Sequence, residues 1–168
     1  GMDERAGFVT DNALIYADAL PEGGALLGLD LGTKTIGIAT CDAGWRYATA
    51  GKTLPRSKFT KDCGALRKLV AERSIAGVVI GLPRNMDGTE GPRCQATRAF
   101  ARNLAARIDL PIGFWDERLS TVAAERALLE ADTSRRRRAE VIDHVAAGYI
   151  LQGVLDRLRV IKAQGASA

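Results

Sequence analysis

Apolar positions along this chain fall into short runs separated by turn residues. Ala25 to Leu31 and Thr35 to Cys41 are nearly all apolar, and Gly32-Thr33-Lys34 joins them. A glycine turn between two such runs predicts a β-hairpin. Asp42 to Gly44 make a further turn, and the alternation from Arg46 to Leu54 predicts a third strand that Pro55 ends. Connections this short make the three strands antiparallel. From Phe59 to Arg73 the spacing becomes helical, with Cys63, Leu66, Leu69 and Val70 on one face. Ala76 to Leu82 is a continuous apolar run, as a buried parallel strand requires.

Residues 83–91 form a polar loop with turn residues Asn85, Asp87 and Gly88. Pro92 suits the first position of a helix reaching about Ile108. Ile112 to Trp115 predicts another short strand. Ser120 or Thr121 can cap a helix to about Ala131. The arginines at 135–138 read as a loop, and Ala139 to about Lys162 as a long last helix. A meander followed by alternating helices and strands predicts an α/β fold. Its five-stranded mixed sheet has three antiparallel strands, then parallel ones, with helices on both faces. Residues 1–24 read as an N-terminal extension with a short amphipathic helix around Ala13 to Leu20. The domain proper is 25–162, and 163–168 form a tail.

At 168 residues the chain fits one domain with a real core. No apolar stretch approaches a membrane span, and the acidic first residues lack a signal pattern, so a cytoplasmic location is expected. Cys41, Cys63 and Cys94 are odd in number and widely spaced, which predicts reduced thiols. The single histidine, His144, excludes a His-rich zinc site. Net charge is +4, which permits nucleic acid binding without requiring it. Arg135 to Arg138 concentrate that charge, and Arg56, Lys58 and Lys61 form a looser group. The ordinary reading of a basic run is a solvated loop.

The acids change the picture more. Asp30 interrupts an apolar run, where a carboxylate is costly to desolvate without a partner. Glu117 stands where a strand stops and a helix begins. Asp143 opens the last helix beside its apolar stripe of Ile142, Val145, Leu151, Val154 and Leu158. Glu117 and Asp143 have an ordinary explanation as acids near helix starts. Yet ligands in such sheets sit at the strand carboxyl ends, and Asp30, the 83–91 loop and Asp116-Glu117 all follow strands. Asp30, Glu117 and Asp143 together can make a hard oxygen site for magnesium or manganese. Two such ions about 4 Å apart support phosphodiester hydrolysis. Lys34, Arg84 and Arg118 stand beside the same strand ends as candidate phosphate contacts. Thr33 and Asp87 are auxiliary candidates, Asp87 as a substitute ligand should Glu117 point away.

Four segments in order carry a resemblance. They are Asp30-Leu31-Gly32-Thr33-Lys34-Thr35-Ile36-Gly37-Ile38-Ala39, the run Val79 to Gly91, Asp116-Glu117-Arg118-Leu119-Ser120-Thr121, and Ile142-Asp143-His144-Val145-Ala146-Ala147. Between about Leu26 and Gly153 the chain resembles the bacterial YqgF family. These are RNase H-like Holliday junction resolvases, also assigned as nucleases that mature the small-subunit ribosomal RNA precursor. The resemblance implies an RNase H-like fold, with Asp30, Glu117 and Asp143 as metal ligands. It implies a nucleic acid partner, either branched DNA or a ribosomal precursor. A resolvase needs two active sites and hence a homodimer, whereas RNA trimming has no such need, so monomer and homodimer both stay open. One departure is His144, where the family usually has serine. It is either a tolerated surface change or a group that touches phosphate or the attacking water. Two other readings stand beside this one. Asp-x-Gly-Thr also resembles the phosphate loop of the actin and sugar-kinase nucleotide-binding fold. A non-catalytic RNA-binding module could also keep the same fold.

Overall fold

The computed structural model of the chain describes residues 7–119 and 135–167, with side chains for 7–119 and 146–165. The predicted hairpin is present. Strand β2 (Leu26–Leu31) pairs antiparallel with β3 (Thr35–Cys41), and β3 with β4 (Thr49–Pro55). β4 starts at Thr49 rather than Arg46 because the preceding turn is longer. Gly44 and Trp45 both take positive φ, and the Trp45 indole Nε1 donates to the Gly24 carbonyl at 2.7 Å. That bond and burial anchor an aromatic residue in a conformation it seldom adopts. Helix α2 (Phe59–Glu72), strand β5 (Gly77–Leu82), helix α3 (Pro92–Ala105) and strand β6 (Pro111–Asp116) follow as the apolar spacing requires.

Among the described residues the sheet has six strands rather than five. The extra one, β1 (Phe8–Thr10), lies in the N-terminal segment and pairs parallel with β6, Val9 opposite Ile112. Three residues are too few to show a period, so only the partner reveals the strand. Helix α1 (Ala13–Ala19) follows, capped by Asn12, whose Oδ1 accepts from the amides of Leu14 and Ile15. Tyr16, Ala17 and Leu20 are buried against the sheet. The strand order is β1-β6-β5-β2-β3-β4.

The last helix, α4, runs from Arg135 to Ser167. The backbone at 135–138 is therefore helical, not a loop. Arginine is a good helix former, and no glycine or proline interrupts the run. The predicted helix from 120 or 121 to about 131 lies outside the described residues. Helices cover both faces of the sheet. Side chains of α1 and α4 pack over one face with Leu26 and Val79, and those of α2 and α3 over the other with Leu27, Leu29 and Ile80. Among the described residues no helix is long and apolar enough to cross a membrane. All three cysteines are buried, and none of them forms a disulfide.

The direction of α4 matters for the site. A Cβ on Gly28 would lie 2.9 Å from Leu151 Cβ and 3.4 Å from the Ala147 carbonyl, so helix and strand touch there. At the other end the Lys162 ammonium lies 5.9 Å from the Trp45 ring, next to the start of β2. α4 is thus antiparallel to β2, and its N-terminal turns lead toward the carboxyl end of that strand.

Candidate active site at the strand carboxyl ends

β2, β5 and β6 are mutually parallel, so their carboxyl ends share one edge. Three acids are buried among the described residues, Asp30, Asp62 and Glu117. Asp62 has a structural task, since its carboxylate accepts from the amide and hydroxyl of Ser57. The other two stand at the shared edge, with Asp30 2% and Glu117 8% exposed.

Strand alternation puts Asp30 on the same face as Leu26 and Gly28, the face that α4 covers. Its neighbour across the sheet is Gly37 on one side. On the other side, one residue beyond the paired Leu29 and Ile80, stands Gly81. Neither flanking position carries a side chain of its own. Glu117 packs over Gly81 from the 3-10 turn (Glu117–Leu119) that follows β6. Its Oε1 lies 3.0 Å from where a Cβ on Gly81 would be, and Ile150 of α4 closes the other side at 2.4 Å. Two buried carboxylates thus share a glycine-lined patch, a donor set suited to a hard divalent cation. Among the described residues no three His, Cys, Asp or Glu side chains gather as a metal cluster. Asp143 and His144 lie on the helical backbone of α4, and their side chains are outside the described residues.

The basic candidates divide into two kinds. Arg118 grips Asp116, with Nη2 to Oδ2 at 2.7 Å and Nε to Oδ1 at 3.1 Å. Arg84 lies 3.2 Å from Glu90 and 3.6 Å from Asp116. Both guanidiniums are thereby offset by acids. Lys34 is exposed and makes no ion pair among the described residues, as does Thr33 beside it in the turn. Asp87 Oδ1 accepts from the Thr89 amide at 2.9 Å and the Thr89 hydroxyl at 2.6 Å, which ties off the 83–91 loop. Those bonds hold its carboxyl below the usual range.

Sequence reasoning missed the ion-pair chain that anchors this loop. Arg98 of α3 binds Glu90 bidentately at 2.6 and 2.8 Å, and its Nη1 lies 3.2 Å from Asp11. Asp11, Arg98, Glu90, Arg84, Asp116 and Arg118 thus run as alternating charges from the N-terminal segment to the turn bearing Glu117. Hydrogen bonds from Arg118 hold the Asp116 carboxyl low, and those from Arg98 do the same for Glu90. Only the pairing of α3 with the loop brings these residues together, and no local spacing signals it.

Solved structures share this fold, and known proteins place the chain in a family. The fold is shared with T. thermophilus RuvC, solved in complex with a Holliday junction substrate. That match has a TM-score of 0.50 and 11% identity, covering 80% of this chain and 96% of that one. The architecture is therefore of the RuvC type, an RNase H-like α/β fold. Residues 24–157 match the family described as "RuvX: Holliday junction resolvase". A relative from Cereibacter sphaeroides (strain ATCC 17025 / ATH 2.4.3) is 72% identical over 143 residues, 85% of this chain and 89% of its own length. Another from Paracoccus denitrificans (strain Pd 1222) is 64% identical over 153 residues, 91% and 97% of the two chains. Both carry the name "Putative pre-16S rRNA nuclease". The chain belongs to the RuvX Holliday junction resolvase family, a family of nucleases.

Proposed function

We propose that this protein is a magnesium- or manganese-dependent nuclease that trims the precursor of 16S ribosomal RNA, with Asp30, Glu117 and Asp143 as the cation's ligands. The observation that carries this reading is the pair of buried carboxylates, Asp30 and Glu117, at one edge of the sheet, with Glu117 packed over Gly81 beside Asp30. Two carboxylates buried at one edge make a hard-oxygen donor set of the kind a divalent cation takes. Position 143 supports the third ligand. It stands one helical turn before Ala147, whose carbonyl closes on Gly28, on the helix leading toward Asp30. When bound, such cations make a nucleophile of water and stabilise the leaving oxygen. The chain's own residues fix where this happens, because β2 and the turn after β6 are rigidly packed. Lys34 and Thr33 face solvent at the same edge and suit a phosphate backbone, with Arg84 and Arg118 as further contacts. His144 is a further candidate for contact with phosphate or the attacking water.

The names of close relatives favour a ribosomal RNA precursor. The family description favours branched DNA as the second reading, which requires a homodimer with paired active sites. Cleavage of labelled precursor rRNA and of a labelled four-way junction, each with magnesium, manganese or chelator, decides between them. The protein is expected to act in the cytoplasm. Cleavage of neither substrate with either cation refutes the nuclease reading. Fragment lengths separate internal cutting from trimming at an end.

A further inference from the structure

The turn that follows Asp30 is braced by two arginines from elsewhere in the fold. Arg56, just after β4, donates from Nη1 to the Gly32 carbonyl at 2.8 Å, and its guanidinium stacks 5.5 Å from the Phe100 ring. Arg93, in the first turn of α3, donates from Nη2 to the Leu31 carbonyl at 3.3 Å. Both residues are exposed. With Gly32, Thr33 and Thr97 they line a recess of about 60 Å³. Neither arginine makes an ion pair with an acid among the described residues. Arg84, Arg98 and Arg118 all do. A guanidinium held by a carbonyl has no counter-charge beside it and keeps most of its donors, whereas one gripped by a carboxylate is offset by that charge.

We infer that Arg56 and Arg93 form a phosphate-binding subsite for the nucleic acid backbone, flanking the turn after Asp30 and including Lys34. This rests on the nuclease reading of the same edge. The two arginines approach the turn from different elements, so their spacing is set by the fold rather than by flexible side chains. They would hold a phosphate next to the one being cut and fix the register of the strand over Asp30. Such contacts position the substrate without reading its bases.

The test is the salt dependence of binding, measured in calcium with a fluorescein-labelled precursor rRNA fragment and a labelled four-way junction. Arg56→Gln/Arg93→Gln removes both charges and keeps polar side chains at both positions. The slope of log K against log salt is expected to fall by about 1.4 to 1.8. One decade below molar salt, that is roughly a 25- to 60-fold loss of affinity. Arg56→Lys/Arg93→Lys should restore the slope, since it counts charges. Thermal melting checks that the variants remain folded. An unchanged slope in the glutamine variant, with the parent binding and cutting normally, overturns this inference and leaves the nuclease reading intact. A slope that lysine does not restore assigns the arginines to bracing the turn and also overturns it. A parent that neither binds nor cuts either substrate removes the nuclease reading, and this subsite with it.

Discussion

Adding one methyl group at Gly81 tests the site's geometry. Gly81→Ala would place its Cβ 2.4 Å from Ile150 Cδ1, 3.0 Å from Ile150 Cγ1 and 3.0 Å from Glu117 Oε1. Ile150 is completely buried, so it has little freedom to retreat. Overpacking of this kind costs about 1–3 kcal/mol. At roughly 2–4 °C per kcal/mol for a chain of this size, melting should fall by about 2–12 °C. Glu117 must also give way by a few tenths of an ångström. Since a 1 Å misplacement near a reacting centre costs about a hundredfold, kcat should drop by roughly five- to tenfold. The two effects can be separated. Ile150→Val removes Cδ1, the closest atom, at an intrinsic cost of about 0.5–1.5 kcal/mol. In the Gly81→Ala background it should therefore cost little or even restore stability, an interaction a double-mutant cycle measures. It leaves the contact with Glu117, so kcat should stay low. Differential scanning calorimetry and steady-state cleavage kinetics on the four variants give both readouts. Gly81→Ala with parental melting and parental kcat would show that Glu117 and Ile150 do not pack over Gly81, and the geometry of the site would fall.

Other outcomes follow from the same structure. Asp30→Asn keeps the side-chain volume and should abolish cleavage with a normal circular dichroism spectrum; a variant cutting at the parental rate removes Asp30 from the chemistry. Tyr16→Phe deletes the 2.9 Å bond from the Tyr16 hydroxyl to the Val78 carbonyl, in a side chain only 3% exposed. It should cost about 0.5–1.5 kcal/mol in chemical denaturation and leave cleavage unchanged, and equal stability would refute the bond. Asp116 gives a pH prediction. Its carboxyl is held low by Arg118 in the folded state, so its contribution is complete above the ordinary carboxylate range and disappears as pH falls through the lowered value. Melting should therefore fall below about pH 4 and fall less steeply in Asp116→Asn; parallel profiles for the two proteins would refute the coupling.

Much of the fold was legible because hydrophobic spacing is local. The β2–β3 hairpin, the apolar run of β5 and the stripe of α2 each carry their own period within a few residues. β1 carries none, since Phe8 to Thr10 become a strand only by pairing with β6. The start of α4 was obscured by charge, because four arginines suggest solvent whether or not they are helical. Asp30 stood out as an acid within an apolar run. Gly81 did not, because a glycine in a strand has no chemistry until the carboxylate above it is located. Likewise Arg84 and Arg118 stood out as candidate phosphate contacts, but their acidic partners did not. The acids that offset them, Glu90 and Asp116, come from a loop and a strand end whose meeting depends on tertiary structure.

The central claim is that Asp30 and Glu117 hold the cation that cuts the phosphodiester bond. Manganese binding followed by electron paramagnetic resonance tests it most directly, comparing the parent with Asp30→Asn and Glu117→Gln. The account predicts saturable binding by the parent and its loss in each variant, together with loss of cleavage. Manganese bound equally well by all three proteins would contradict it.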